Sequence, residues 1–301
     1  MSAKVLMRIL LLLAVAVLVW GGLAVLNRSS TDTPVGFSLP RVSADSAETI
    51  AYVGPQDTIR LTRQGGAWTV NGHPAAGKVV ETFFKSLGDS GARSELVAQS
   101  SESHARLGVD STTGKHLTVQ GGGKTLLDVW FGNRGPDFEG FYVRKAGEAQ
   151  VFLLHGTFAD LTVQPLEDWR EKQVLALTPE AIGKVEVQRG KQGYALVRAG
   201  TAWSFIKGGA ADSARVTRWL GTFREFRATS FPNPAQADSA KFAPPERSLK
   251  FYGATGELLA SVELDSIAST FVMRVNDRPD RYTLEPQATT LAIPSDSIFR
   301  K

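Results

Sequence analysis

The sequence predicts an α+β fold in which two tandem copies of a β-β-α-β-β-β-β unit follow a single amino-terminal transmembrane helix. Three observations support this prediction. One segment of the chain matches another without gaps, each of the two regions holds one helical stripe among several alternating strands, and the amino terminus carries a long uncharged run. In each copy the helix is expected to cover one face of an antiparallel sheet.

The amino terminus is predicted to anchor the chain in a membrane. Within residues 5–26, only Arg8, Gly21 and Gly22 are not apolar. As a helix this run would extend about 33 Å, enough to cross a hydrocarbon core of about 30 Å. A cleaved signal peptide is the alternative, but the run ends in Leu26-Asn27 rather than in the small residues of a cleavage site.

The charges around this run predict its orientation. Lys4 and Arg8 precede the uncharged part, and Arg28 alone follows it closely. Positive charge stays on the cytoplasmic side, so we expect a single-pass protein of the inner membrane with its amino end in the cytoplasm. Residues 29–301 are then expected to be extracytoplasmic or periplasmic.

The internal repeat begins with a match between residues 60–70 and residues 195–205. Five of the eleven aligned positions are identical, namely Leu61/Leu196, Arg63/Arg198, Gly65/Gly200, Ala67/Ala202 and Trp68/Trp203. Trp68 and Trp203 therefore occupy the same point of both copies, directly after a tight turn. A repeated Trp at the base of a strand is predicted to be structural and to belong to the core.

A helical stripe and then four strands follow in each copy, in the same order. The stripes are Val79, Val80, Phe83, Phe84 and Leu87 in the first copy and Val216, Trp219, Leu220 and Phe223 in the second. Their spacing is that of one face of an α-helix. The predicted strands are 116–120, 126–131, 141–144 and 151–154, and 248–252, 259–264, 271–274 and 282–284.

This pattern divides the chain into six parts. They are a cytoplasmic stub with the anchor (1–28), a tether (29–40), the first repeat (41–155), a bridging segment (156–178), the second repeat (179–290) and a tail (291–301) without a clear element. The bridging segment is too apolar for a flexible linker and is expected to pack across the junction. Its Trp169 and Arg170 are the residues that we expect at a partner interface.

The composition restricts the chemistry. The 301 residues are 43% hydrophobic and 21% charged and include no Cys, so disulfides, thiol nucleophiles and thiolate metal sites are excluded. Residues 1–28 hold three of the 34 basic side chains and none of the 30 acidic ones, and residues 29–301 are therefore almost neutral. A nucleic-acid surface needs a surplus of cations, so no nucleic-acid partner is predicted.

The motifs that resemble chemical sites are better explained as turns and caps. Residues 121–125, Gly-Gly-Gly-Lys-Thr, lack the first Gly of a phosphate-binding loop and join two strand patterns. Residues 88–91, Gly-Asp-Ser-Gly, end an amphipathic helix where Gly is the expected cap. Residues 137–139 are predicted to form a solvated acidic loop. Without a metal-ligand or nucleophile motif, the sequence predicts no catalytic residue, no cofactor and no metal.

Taken together, these features resemble the bacterial domain-of-unknown-function 4340 family. The resemblance is carried by Leu61, Arg63, Trp68 and Val70, by the strands 141–144 and 151–154, and by Arg170, Lys172, Val174 and Leu175 of the bridging segment. It implies an amino-terminal hydrophobic helix and no established catalytic residue. Some members are associated with ABC-type export systems, including those of gliding motility, which implies an accessory role beside such a transporter.

Three functions follow as hypotheses. The first is a non-enzymatic, membrane-anchored accessory protein that binds a membrane partner, with ABC transporter subunits as the partner class. The second is a cell-envelope hydrolase acting on glycan or peptide, with carboxylates from both copies meeting at the junction. The third is a structural envelope protein that pairs through exposed strand edges.

Overall fold

The computed structural model describes residues 36–89, 92–136, 138–158, 164–276 and 278–301. In this part of the chain, two large antiparallel sheets are accompanied by a few short helices. The predicted α+β class is therefore confirmed. We call residues 36–158 the first half and residues 179–301 the second half.

The first half contains nine strands and two α-helices among its described residues. The strands are β1 (Thr49–Val53), β2 (Thr58–Gln64), β3 (Ala67–Val70), β4 (His73–Pro74), β5 (Arg93–Ala98), β6 (Lys115–Gly121), β7 (Lys124–Arg134), β8 (Gly140–Lys145) and β9 (Val151–His155). The helices are α1 (Gly77–Leu87), between β4 and β5, and α2 (His104–Leu107), between β5 and β6. A 3₁₀ turn at Ser101–Ser103 precedes α2.

The bridging segment and the second half supply the remaining elements. The strands are β10 (Gln173–Leu175), β11 (Ile182–Arg189), β12 (Gln192–Ala199), β13 (Ala202–Phe205), β14 (Phe226–Arg227), β15 (Arg247–Gly253), β16 (Leu258–Ile267), β17 (Thr270–Val275) and β18 (Tyr282–Leu284). The helices are α3 (Leu166–Trp169), α4 (Ser213–Gly221), α5 (Pro234–Ser239) and α6 (Pro286–Ala292). Three 3₁₀ turns lie at Pro179–Ala181, Thr222–Glu225 and Asp296–Ile298.

The two large sheets have matching strand orders. The first sheet runs β4-β3-β2-β1-β6-β7-β8-β9-β5, and the second runs β13-β12-β11-β15-β16-β17-β18. Apart from β4 and β5, which extend its two edges, the first sheet thus places seven strands in the order of the second. A small third sheet pairs β10 with β14.

One amphipathic helix covers the inner face of each sheet. Val80, Phe83, Phe84 and Leu87 of α1 are buried in the first core. On α4, the buried residues are Val216, Trp219 and Leu220. The predicted helical stripes are confirmed, because apolar residues at helical spacing lie on one face and bury it against the sheet.

The structure contains elements that the sequence prediction did not include. The interior strands β1 and β11 were missed, so that at least three strands precede each helix rather than two, and β5 at the edge of the first sheet was missed as well. The tail also has structure. Helix α6 and the following turn pack onto the second half, and Phe299 is 1% exposed in its core. The apolar side chain of Phe299 draws the tail onto the sheet, against the prediction of no clear element.

The predicted anchor lies outside the described residues. None of the helices within the described ranges is long and apolar enough to cross a membrane. Residues 5–26 and the tether up to residue 35 precede the first described residue.

The Gly-Gly-Gly-Lys-Thr run forms the turn between β6 and β7, as predicted. Gly122 and Gly123 both adopt positive φ angles, 57° and 69°, which is the backbone that a tight hairpin of this kind requires. Gly121 has a different role. A Cβ atom at this position would overlap the carbonyl oxygen of Ser46, so glycine lets the loop before β1 approach the sheet.

We expect Gly121→Ala to destabilise the protein by about 1–3 kcal/mol, because the added methyl group forces the backbone apart. Gly77→Ala is the matched control. Nothing lies within 4 Å of a Cβ there, and alanine favours the helix by about 0.5–1 kcal/mol. Urea unfolding of the purified full chain measures both changes, and equal effects of the two substitutions would contradict the proposed contact.

The outer face of the first sheet is covered by the loop around α2. Leu107 and Val109 are buried there together with Val151, and Arg144 Nη2 donates to the Val109 carbonyl oxygen at 2.9 Å. The loop then turns at Asp110, whose Oδ1 accepts hydrogen bonds from the backbone N–H and hydroxyl groups of Thr112 and Thr113. These bonds lower the pKa of Asp110 to about 2, the Thr112 hydroxyl contributing most.

We expect the Asp110 carboxyl to titrate with a midpoint of about 2 in a ¹³C NMR titration. A lowered pKa means that its contribution to stability is present above the ordinary value of 3.8 and is lost as the pH falls through about 2. Replacing Thr112 and Thr113 by Val removes the two hydroxyl donors and should move the midpoint part of the way towards 3.8. An unchanged midpoint in that variant would refute this cause.

Candidate functional site

The bridging segment passes from one hydrophobic core into the other within a few residues. Trp169 at the end of α3 is 0% exposed and lies in the first core. Its ring centroid is 5.7 Å from that of Tyr52 and 6.0 Å from that of Phe83. Val174 and Leu175 of β10 belong to the second core. The segment therefore joins the two halves through buried side chains at both of its ends.

Backbone hydrogen bonds tie the same segment to both halves. On the first half, Ala76 N–H donates to the Trp169 carbonyl at 2.8 Å, and Glu171 N–H donates to the Pro74 carbonyl at 2.9 Å. On the second half, Ala228 N–H donates to the Lys172 carbonyl at 2.7 Å, next to the pairing of β10 with β14. These bonds fix the path of the bridging segment from the first half to the second.

An ion cluster closes the junction around Asp280. Its Oδ1 lies 2.5 Å from His73 Nδ1 in the first half and 3.2 Å from Arg170 Nη2 in the bridging segment. The Asp280 side chain is 11% exposed and that of Arg170 is 15% exposed. The guanidinium carbon of Arg170 lies 3.6 Å from the ring centroid of Phe231. One carboxylate of the second half thus binds groups from both other parts of the chain.

The pKa shifts at the junction follow from this burial. Desolvation lowers the pKa of Arg170, and the charge of Asp280 opposes that effect. Nearby, a hydrogen bond with Ser230 is the main cause that lowers the pKa of Glu167, with help from Lys172. Glu167 therefore stays ionised and forms an ion pair with Lys172 at 3.3 Å.

The junction holds a His–carboxylate pair, which is part of the machinery of many hydrolases. Such a pair acts on a nucleophile that is hydrogen-bonded to the other imidazole nitrogen. Among the described residues, no Ser or Thr hydroxyl is hydrogen-bonded to His73. Asp280 is instead shared with Arg170, so these contacts form a clamp between the halves.

The two repeated tryptophans do not have the same environment. Trp203 is 3% exposed and belongs to the second core. Trp68 is half-buried at the edge of the first core, where its ring centroid lies 5.8 Å from that of Phe84.

Trp169 and Arg170, which the sequence predicts at a partner interface, make contacts within the chain. The ring of Trp169 is enclosed by the first core, and Arg170 is bound to Asp280 and Phe231 of the same chain. The first core thus surrounds the Trp169 ring, and Asp280 supplies a counter-charge to Arg170, while Trp169 Nε1 and Arg170 Nε have no hydrogen-bond partner among the described residues.

The other sequence motifs are distributed over the first half. Gly88 caps the end of α1, as predicted, and Asp89 Oδ2 accepts a hydrogen bond from the Thr157 hydroxyl at 3.0 Å. Ser90 and Gly91 lie outside the described residues, as do Leu161 and Asp137. Glu139 is exposed.

A second His–carboxylate pair, missed in the sequence, lies on the outer face of the first sheet. His116 Nε2 is 2.6 Å from Asp128 Oδ1, and the His116 ring stacks on Trp130 with centroids 4.3 Å apart. The Arg144 guanidinium lies on the same Trp130 ring at 5.7 Å. These residues come from β6, β7 and β8, and the alternation of each strand shows only that their side chains share a face.

Metal binding has no candidate among the described residues, since no three His, Cys, Asp or Glu side chains there are grouped closely enough to hold an ion.

Comparison with known proteins gives one match. A family model described as "Domain of unknown function (DUF4340)" matches residues 68–245, which is more than half of the chain. The matched range begins in β3, includes the whole bridging segment and ends in the second half, so the family model spans the junction. No curated protein and no solved structure matches the chain.

We expect Asp280→Asn to lower the free energy of unfolding by about 3 kcal/mol, because the Arg170 guanidinium then stays buried without its counter-charge. Asp296→Asn is the matched control. Its ion pair with Arg300 is exposed, and such pairs contribute less than about 1 kcal/mol. Urea unfolding of the full chain compares the two, and a cost for Asp280→Asn no larger than that of the control would contradict the clamp.

Proposed function

We propose that this chain, which belongs to the DUF4340 family, is a membrane-anchored accessory protein whose extracytoplasmic body binds a membrane partner. The anchor in this proposal is the uncharged apolar run within residues 5–26, and the body is the part of the chain that follows residue 28. The positive charges before the run support an amino end in the cytoplasm.

The observation that carries the proposal is the junction around Trp169 and Asp280. Buried side chains, backbone hydrogen bonds and an ion cluster all hold the two halves together there. A body fixed in this way offers a surface of constant shape, and a preorganised surface loses little conformational entropy when it binds a partner. The charged groups at the junction are occupied by each other, which favours binding over catalysis as the task of the molecule.

We also propose that the two halves are copies of one unit, over residues 41–155 and 179–290. The gapless match of residues 60–70 with residues 195–205 supports this origin. The shared order of seven strands in the two sheets supports it independently. Duplication would then account for one covering helix on each sheet.

The partner class in this proposal is a subunit of an ABC-type transporter. The support is the family resemblance alone, which implies an accessory role beside such export systems. The body itself is compatible with any partner whose extracytoplasmic surface lies close to the bilayer.

A cell-envelope hydrolase is the second candidate, and the His73–Asp280 pair is the observation that favours it. This candidate needs a nucleophile or water to reach His73, whose side chain is 43% exposed. It predicts that the purified chain cleaves envelope glycan or peptide and that His73→Asn abolishes the cleavage. The accessory-protein proposal predicts no such activity.

The anchor and the partner are tested together in native membranes. We expect the tagged full chain to sediment with membranes and to recover transporter subunits after mild solubilisation and affinity purification. Leu13→Arg with Val17→Arg places two charges in the apolar run, each costing about 2.5–3.5 kcal/mol at a helix centre, and should release the chain from the membrane and abolish the recovery.

Ser2→Arg with Ala3→Arg is the matched control, because it adds the same two charges before the run, where they reinforce the predicted orientation. It should behave as the unchanged chain. Recovery of copies of the chain alone would instead favour a structural envelope protein, and membrane association that survives Leu13→Arg with Val17→Arg would refute the anchor.

A further inference from the structure

A groove lined by cations lies at the end of the second sheet where β11 turns into β12. Two adjoining cavities, of about 490 and 420 Å³, form it and share Lys191, Gly193, Tyr194 and Lys207. Lys250 lines the first cavity and Arg189 lines the second. We call this region the basic groove, defined by the cations Arg189, Lys191, Lys207 and Lys250.

The two acids that line the basic groove are each bound mainly by a cation outside it, although Glu186 also lies opposite Lys250 and interacts with its charge. Glu186 binds Lys184 Nζ at 2.9 Å and accepts a hydrogen bond from the Tyr252 hydroxyl at 2.9 Å. Asp296 Oδ2 accepts a hydrogen bond from Arg300 Nε at 3.0 Å. None of the four cations of the groove forms an ion pair with a described residue. The groove therefore carries a surplus of positive charge, with four cations and two acids in its lining.

At this end of the sheet, Arg189 of the groove and the adjacent Arg247 each have a buried nitrogen without a hydrogen-bond partner in the described part of the chain, although Arg247 also pairs with Glu246 at 3.8 Å and lies on the Phe271 ring. Arg189 and Arg247 lie opposite each other on β11 and β15. Arg189 Nε and Arg247 Nη1 are buried and have no hydrogen-bond acceptor among the described residues. Burial lowers the pKa of Arg247, and the neighbouring Arg189 lowers it further. Like charges in direct opposition are unfavourable, and a bound anion would relieve both effects.

The turn that carries Lys191 differs in charge between the two halves. At the corresponding turn of the first half, β1 and β2 are joined by residues 54–57, Gly-Pro-Gln-Asp, which contain no cation. The turn between β11 and β12 instead carries Lys191. The cation Lys191 is thus a feature of the second half that the shared strand order does not require.

We propose that the basic groove binds a small anionic ligand that carries phosphate groups. Three lysines supply compact charges and Arg189 supplies a planar fork, and both kinds of cation bind phosphate. A phosphate group supplies up to two negative charges at one point. Cavities of this size accommodate small ligands.

The test uses the full chain in a neutral detergent at low salt, with calorimetric titration of inorganic pyrophosphate. We expect a dissociation constant below about 1 mM that weakens as the ionic strength rises. Lys191→Gln with Lys207→Gln should weaken binding about tenfold or more, because each lysine contributes a charge-assisted contact. Both lysines are exposed, so circular dichroism and the thermal midpoint should stay unchanged.

Lys78→Gln with Lys124→Gln is the matched control, because it removes the same charge from exposed positions in the first half. It should bind as the unchanged chain does. A parallel titration with mixed micelles of phosphatidylglycerol or phosphatidylcholine identifies the source of the phosphate. If the double substitution Lys191→Gln with Lys207→Gln weakens the binding of pyrophosphate, the ligand is a free phosphate compound. If the substitution weakens only the binding to phosphatidylglycerol micelles, the ligand is a lipid headgroup. No loss in either arm, or an equal loss in the control, overturns the proposal.

Discussion

The arrangement of the two halves depends on the burial of Trp169 in the first core, while Val174 and Leu175 enter the second. Burying an apolar side chain of this size stabilises the protein by about 3 kcal/mol. Part of that gain is offset, because Trp169 Nε1 has no hydrogen-bond partner among the described residues. The side chains at both ends of the bridging segment are thus fixed by packing. Apolar burial stabilises the junction, and the ion cluster around Asp280 fixes the orientation of the groups that meet there.

The two sheets use their outer faces differently. The loop that contains α2 covers part of the first outer face, where Arg144 binds the Val109 carbonyl. The second outer face carries polar groups such as Glu186, which pairs with Lys184 and Tyr252. A covered face supports stability, whereas a charged, half-exposed face is available for a ligand. One strand order therefore carries two surfaces of different chemistry.

Local sequence patterns predicted individual elements correctly but did not reveal all the strands of each sheet. The apolar stripe of α1 and the turn at Gly122–Gly123 were predicted because 3.6-residue spacing and a glycine run report directly on local backbone geometry. Strand β1 was missed because Ile50, Ala51 and Tyr52 are all buried, so a strand in the middle of the sheet shows no alternation. Strand β11 does alternate at Lys184–Val187, and its pattern could have been found.

By itself, the sequence determined the α+β class, the family and the apolar character of the bridging segment, because these features can be recognised from patterns of residues that are close together along the chain. Only the tertiary structure decided which side chains meet. His73 and Asp280 are 207 positions apart, and the cations of the basic groove come from the strands β11 and β15, the turn after β11 and the loop after β13. It also showed that Trp169 packs in the first core and that Arg170 binds Asp280. Whether a side chain faces a partner or its own chain is set by long-range packing, on which local periodicity carries no information.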